Sequence, residues 1–333
     1  MRPGHTPPKS QRGVALITAI LMVAIATALA AKMAWDNQLN MRRTQANINM
    51  ETAKQIALSA ESAAIAVLKD AGNDYGNWQD EIATFNKEFF GVITIDDVDI
   101  GEFYGSAVPT NDRLNVNDLV ANNAPDPAVV QQFSDLFAEL SRDVDIPPEL
   151  LENIIEWIDP DTVPAGAGAE DDVYTSLDPA YRTANNYLVD VSELRAIGGV
   201  TREVYEYLLP HLTAMPPGWC GNTAGITPVN LNFTTPQVAA AVLKIPVGNA
   251  TAITDSVVEV PLEDGDLNAN LRNLGLTDDE IVAVEPYISA RTECFELSVI
   301  VNVGSSTLTM YSLIDRLDGN RIVSRVRAYG LEN

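Results

Sequence analysis

The chain has 333 residues, 46% of them hydrophobic and 20% charged, a balance that fits a folded globular protein and excludes a disordered one. Its formal net charge is −25, so its surface repels phosphate backbones and anionic headgroups: no nucleic acid is expected as a partner, and cations such as calcium are favoured. The two histidines, His5 and His211, leave little room for imidazole catalysis or zinc. No P-loop, G-x-S-x-G, H-E-x-x-H or Rossmann pattern occurs, so no enzyme is expected.

Residues 1–12 carry Arg2, Lys9 and Arg12 but no acid. After Gly13, the run Val14 to Ala31 is uncharged, and with Met33, Ala34 and Trp35 beyond Lys32 it is long enough to cross about 30 Å of hydrocarbon. The basic leader places the N-terminus in the cytoplasm and the head in the periplasm, across a single inner-membrane span; Arg42 and Arg43 on the far side weaken that bias without reversing it. A secretory signal would be cut after the run, where Ala28–Ala31 offers weak candidates. The alternative is a cut before it, at Gly13–Val14, which keeps the apolar segment. An Arg-Gly pair stands at the boundary, and neither Gly nor Pro interrupts the chain from Val14 to Ala71. Ala46, Met50, Ala53, Ile56, Ala57, Ala60, Ala64, Val67 and Leu68 then recur at helical spacing. These features predict one helix over 14–71, about 85 Å long, with its transmembrane half at 14–35 and the rest packed on a globular domain. A membrane-anchored periplasmic binding module with an uncleaved signal anchor is the rival arrangement.

Residues 72–91 read as a connection and a short helix, and 92–110 as one or two strands with Gly breaks. The segment NDRLNVNDL (111–119) ends the strands and opens a helical region, with helices over 127–141 and 147–158. Residues 191–212 form a helix, a Gly-Gly-Val turn and a helix; 230–290 hold two more helical stretches, the second capped by Thr277. After Cys294, 295–317 and 320–330 alternate and predict three antiparallel strands, with a turn at LDGN. Strands before 110 and after 294 are expected to share one sheet. Cys220 and Cys294 most simply pair in an exported chain, two buried free thiols being the alternative.

Asp159, Asp161, Glu170, Asp171 and Asp172 surround a flexible Gly/Ala/Pro loop, VPAGAGA. Calcium takes six to eight oxygens at about 2.3–2.6 Å, and short acidic side chains on a bendable loop supply them; magnesium demands stricter geometry. The spacing is not that of an EF-hand, and a solvated acidic loop is the plainer reading. The hairpin at 191–212 and the block at 229–243 resemble helix-hairpin-helix modules, but Arg195 and Arg202 stand among Asp190, Glu193, Glu203 and Glu206, which favours a scaffold over DNA.

The run Arg12-Gly13-Val14-Ala15-Leu16-Ile17 resembles the start of type II secretion pseudopilins. Most of that family carry a glutamate five residues into the mature chain, thought to pair with a neighbour's N-terminal amine; here Thr18 stands in its place, as in K-type minor pseudopilins. NDRLNVNDL, WIDPDTVPAGAGAEDDVY (157–174), YRTANNYLVDVSELRAIGGVT (181–201), LLPHLTAMP (208–216) and VNLNFTTPQVAAAVL (229–243) extend the resemblance, to the general secretion pathway K family, over most of the chain. It implies an α+β, type IV pilin-like fold: leader 1–13, helix 14–71, sheet 72–110 and 291–333, with an inserted helical domain of two SAM-like units, 111–216 and 217–290. It also implies cleavage at Gly13–Val14 by a prepilin peptidase, methylation of Val14, and a calcium site. The expected partners are I- and J-type minor pseudopilins, the major pseudopilin and secreted cargo. A subunit lacking the glutamate suits the tip of a pseudopilus, where it would prime assembly.

Overall fold

A helix of 59 residues, α1 (Arg12–Asp70), runs through the first fifth of the chain, a rod of about 88 Å. The computed structural model describes residues 12–70, 89–95, 98–221, 225–292, 294–315 and 321–329. The sequence expectations for residues 1–11, 72–88 and the LDGN turn lie outside these. The helix starts at Arg12, so the Gly13–Val14 bond falls in its first turn. An apolar window within Leu16–Ala66 has mean hydropathy 2.1 and none of it is buried.

Higher up, α1 lies against an antiparallel sheet of β1 (Phe89–Ile95), β2 (Val98–Pro109), β3 (Cys294–Val303), β4 (Ser306–Asp315) and β5 (Arg321–Tyr329), in that spatial order. Ala53 and Ala57 are fully buried and Ala60 nearly so, and they meet Leu297, Val299, Val301, Leu308 and Met310. Alanine removes bulk at the contact, so backbone and sheet come close without strain. The β3–β4 turn reaches α1 at Gly304, whose φ is +57°; a Cβ there would lie 2.5 Å from Asn49 Nδ2. Near the other end of the contact Ser312 Oγ donates to Glu61 at 2.6 Å, both buried.

Between β2 and β3 the chain leaves the sheet for a helical body. The exit and return points are neighbours: Thr110 N–H donates to the Cys294 carbonyl at 3.1 Å, and Cys294 is bonded to Cys220, with Cα atoms 5.1 Å apart. A long insertion therefore hangs from one place and leaves the strand pairing intact. Its helices are α2 (Pro127–Leu140), α3 (Leu150–Ile158), α4 (Asp171–Tyr174), α5 (Arg202–Leu208), α6 (Pro236–Leu243), α7 (Val247–Glu259), α8 (Leu267–Asn273) and α9 (Asp278–Val284). The stretch 191–196 is a 3-10 turn rather than the first α-helix of a hairpin, and α7 and α8 are additions to the helices read from sequence. One apolar core runs from Leu114 to Ile288, so both halves of the insertion share it, with α2 packed on α6.

The two halves repeat one device. Leu114–Asn115 pairs in parallel with Leu212–Thr213, and Val229–Asn230 with Ile288–Ser289. In each half the first asparagine accepts from the backbone N–H of a second, two residues on: Asn115 from Asn117, Asn230 from Asn232. Asn117 then bonds both the N–H and the carbonyl of Leu188 and the carbonyl of Met215; Asn232 does the same to Leu262 and the carbonyl of Ala290. The Gly199-Val200-Thr201 entry to α5 and the Gly275-Leu276-Thr277 entry to α9 match as well, each with a left-handed glycine and a threonine cap. Buried asparagines at these sites meet the hydrogen-bonding needs of loops that two-residue strands cannot.

The Cys220–Cys294 bond closes a 74-residue loop. Its reduction, or the C220S/C294S pair, is expected to lower stability by about 4 kcal/mol through chain entropy. Denaturant unfolding with and without reductant reads this as a lower midpoint; an unmoved midpoint would mean that the bond fastens nothing.

Candidate functional site

Helix α3 is amphipathic. Leu150, Ile154, Trp157 and Ile158 enter the core, while Glu152, Asn153 and Glu156 meet the following loop. That loop is pinned rather than free to bend. Ala165 N–H donates to Glu156 Oε2 at 3.1 Å, Ala167 N–H to Glu152 Oε2 at 2.7 Å, and Ala169 N–H to Asn153 Oδ1 at 2.9 Å. Between these alanines the glycines let the backbone lie against the helix: a Cβ on Gly168 would fall 2.3 Å from Glu156 Cγ, and one on Gly166, at φ +63°, 3.1 Å from Glu152 Oε2. The Ala-Gly alternation reads from sequence as flexibility, but it serves close approach.

At the start of the loop Asp159 Oδ1 accepts from Asp161 N–H at 3.3 Å, Asp161 Oδ1 from Val163 N–H at 2.7 Å, and Asn185 Nδ2 donates to the Asp161 carbonyl at 2.7 Å. At its end Glu170 is 2% exposed. Its Oε2 accepts from Asp171 N–H and Thr183 Oγ1, while its Oε1 is buried without a partner, as is Asn185 Oδ1. Burial pushes the Glu156 carboxyl above its ordinary range, and the charges of Glu170, Asp159 and Asp161 add to the rise. Glu170 is raised by burial first, then by Asp171 and Asp161. Beneath them Trp157, Tyr174 and Tyr181 form an aromatic floor.

Of the five acids singled out by sequence, Asp159, Asp161 and Glu170 lie within electrostatic reach of Glu156. Asp171 is engaged by protein partners: its Oδ1 accepts from Thr183 N–H and lies 2.9 Å from the Thr183 hydroxyl it shares with Glu170, and its Oδ2 pairs with Arg182 at 3.3 Å. Asp172 is exposed in the first turn of α4. Glu156 and Asn185 were missed by sequence because Glu156 reads as one more surface acid and Asn185 as a loop residue, although its φ of +45° marks a constrained position. Among the described residues no three His, Cys, Asp or Glu stand close enough to hold a metal as placed. The donor chemistry nonetheless suits a hard cation: carboxylates raised by burial and mutual repulsion, and two buried oxygens without donors.

The Gly-Gly-Val turn faces inward. Gly198 N–H donates to Tyr174 Oη at 3.1 Å and its carbonyl accepts from Asn153 Nδ2 at 2.9 Å. Arg202 pairs with Glu206, and Arg195 lies over the Tyr205 ring. These groups act as joints of the scaffold. His211, lowered by burial, meets Thr235 Oγ1 at 2.9 Å and so ties the end of α5 to the cap of α6.

A rod with an exposed apolar half, an antiparallel sheet on its upper half and a helical body inserted between two strands define a type IV pilin-like protein. The family model for type II secretion system protein K matches residues 112–217. Type II secretion system protein K of Pectobacterium carotovorum is 29% identical over 96% of this chain and 97% of its own, and that of Pseudomonas aeruginosa 29% over 97% and 94%. A chain in the crystal structure of the GspK–GspI–GspJ complex of the enterotoxigenic Escherichia coli type 2 secretion system superposes with a TM-score of 0.65 at 21% identity, covering 86% of this chain and 99% of that one. The chain carries the type II secretion system protein K domain over 112–217 and is similar to proteins of that name along nearly its whole length.

The raised carboxyls give the site a pH signature. A folded state that holds protons more tightly than the unfolded chain is stabilised by protonation at low pH, and that stabilisation is lost as pH rises through the raised values. The metal-free protein should therefore melt higher as pH falls from 7 toward the ordinary glutamate value of 4.5. Glu156→Gln keeps the acceptor for Ala165 but carries no charge, and should raise the melting temperature at pH 7 and flatten this trend. A variant that melts with the wild-type pH dependence would contradict the assignment.

Proposed function

We propose that this protein works at the tip of a periplasmic pseudopilus, where it primes assembly. It enters the inner membrane with its N-terminus in the cytoplasm, loses its leader at Gly13–Val14 to a prepilin peptidase, and keeps α1 as the rod by which it joins other subunits. The observation that carries this reading is the uninterrupted α1, apolar and wholly exposed below, packed on the sheet above. An exposed apolar rod needs lipid or other rods around it. The inserted body makes the head too large to repeat along a shaft, and Thr18 removes the acid that would call for a partner below. The GspI and GspJ proteins named in the related complex are the partner types this implies, followed by the major pseudopilin. Nothing in this role asks for catalysis. Mass spectrometry of the mature protein should find Val14 at the N-terminus when a prepilin peptidase is present, and Met1 when it is absent. A mature chain beginning beyond Ala31 would remove the rod and the function with it.

The acidic loop is the proposed calcium site, with Glu156, Asp159, Asp161, Glu170 and the Asn185 oxygen as ligands. The ion would neutralise charges that the fold holds together out of water. Millimolar calcium should raise the melting temperature of the full-length protein in detergent at pH 7, EDTA should reverse it, and E156Q/E170Q should abolish the difference. A melting temperature indifferent to calcium and EDTA alike would dismiss the ion.

A further inference from the structure

Arg42 and Arg43 stand on the side of the span where the positive-inside rule disfavours cations. Both are exposed on α1, and neither takes part in an ion pair among the described residues. Along the helix the nearest acids are Asp36 below and Glu51 above, each more than one turn away and out of side-chain reach at i±3 or i±4. From Lys32 to Met50 the rod carries three cations against the single acid Asp36, in a chain whose net charge is −25. The β3–β4 turn meets α1 above them, at Gly304 against Asn49.

Their height is set by the apolar run. Hydrocarbon of about 30 Å takes about 20 helical residues, so a span beginning at Val14 ends near Met33, with Trp35, 64% exposed, at the interface. Arg42 and Arg43 follow about 10–12 Å higher. In an α-helix side chains lean toward the N-terminus, which here means back toward the bilayer, and the long arginine stems bring the guanidinium groups to the headgroup layer, within a Debye length of about 8 Å. We propose that Arg42 and Arg43 form a binding site for the phosphates of anionic phospholipids in the leaflet on the head's side. The pair latches the rod at a fixed depth, while the acidic head is repelled from the same surface. Leaving the bilayer for a filament then requires the rod to release those lipids. This rests on the reading of α1 as a membrane span.

The test separates the two. Trp78, outside the described residues, is replaced by Phe in the full-length protein; Trp157 and Trp219 lie in the head, which leaves Trp35 as the reporter at the membrane. The protein is reconstituted into vesicles of phosphatidylcholine with one third phosphatidylglycerol, one of the two lipids brominated in its acyl chains. Quenching by brominated phosphatidylcholine shows the span; its absence defeats that reading itself. At equal mole fraction, brominated phosphatidylglycerol should be preferred severalfold, toward a limit of about fivefold for each arginine at the surface. The preference should fall in high salt and reach unity in R42Q/R43Q. A wild-type ratio of one, which leaves the arginines to an acidic protein partner, or a preference that survives R42Q/R43Q, overturns the lipid site.

Discussion

The close packing of small residues on α1 against the inner face of the sheet is the contact on which the rest depends. Ala53 and Ala57 have no exposure, and Phe295, Leu297, Val299 and Val301 fill the space their side chains leave. Without that contact the rod and the head would be two objects joined by a loop. With it, a force along the rod passes directly into the sheet, because a packed interior is stiff and deforms little.

The inserted body uses a different economy. It is fastened to the sheet where Thr110, Cys220 and Cys294 meet, and its own stability comes from one core that runs through both halves and from asparagines that close its loops. The acidic loop is built on the least forgiving part of that core. The hydrogen bonds from Ala165, Ala167 and Ala169 hold Glu152, Asn153 and Glu156 in place, on a helix whose Trp157 packs against Tyr174. Order there is obtained at the expense of electrostatic repulsion, which protonation relieves.

Much of this was open to sequence reading because it rests on local rules. The long helix follows from an interval free of Gly and Pro and from apolar residues at helical spacing, and the cap at Thr277 follows from residue type. The three C-terminal strands alternate. The internal repeat emerged only from the structure: Asn115-Val116-Asn117 against Asn230-Leu231-Asn232 and the two Gly-x-Thr helix entries are short and scattered between helices of different length. The 3-10 turn at Val191–Ala196 was misread as helix because its capping box is the same device that starts an α-helix.

What the sequence determined alone is the rod, its apolar half, the presence of an insertion between strands of one sheet, and an excess of acids near residues 159–172. Each is written in neighbouring residues or in composition. Only the tertiary structure decided what surrounds the acidic loop: Glu156 comes from a helix, Asn185 from a distant loop, and Asp171 is taken by Thr183 and Arg182. Residues far apart in sequence converge because that choice is made by packing, which no local pattern records.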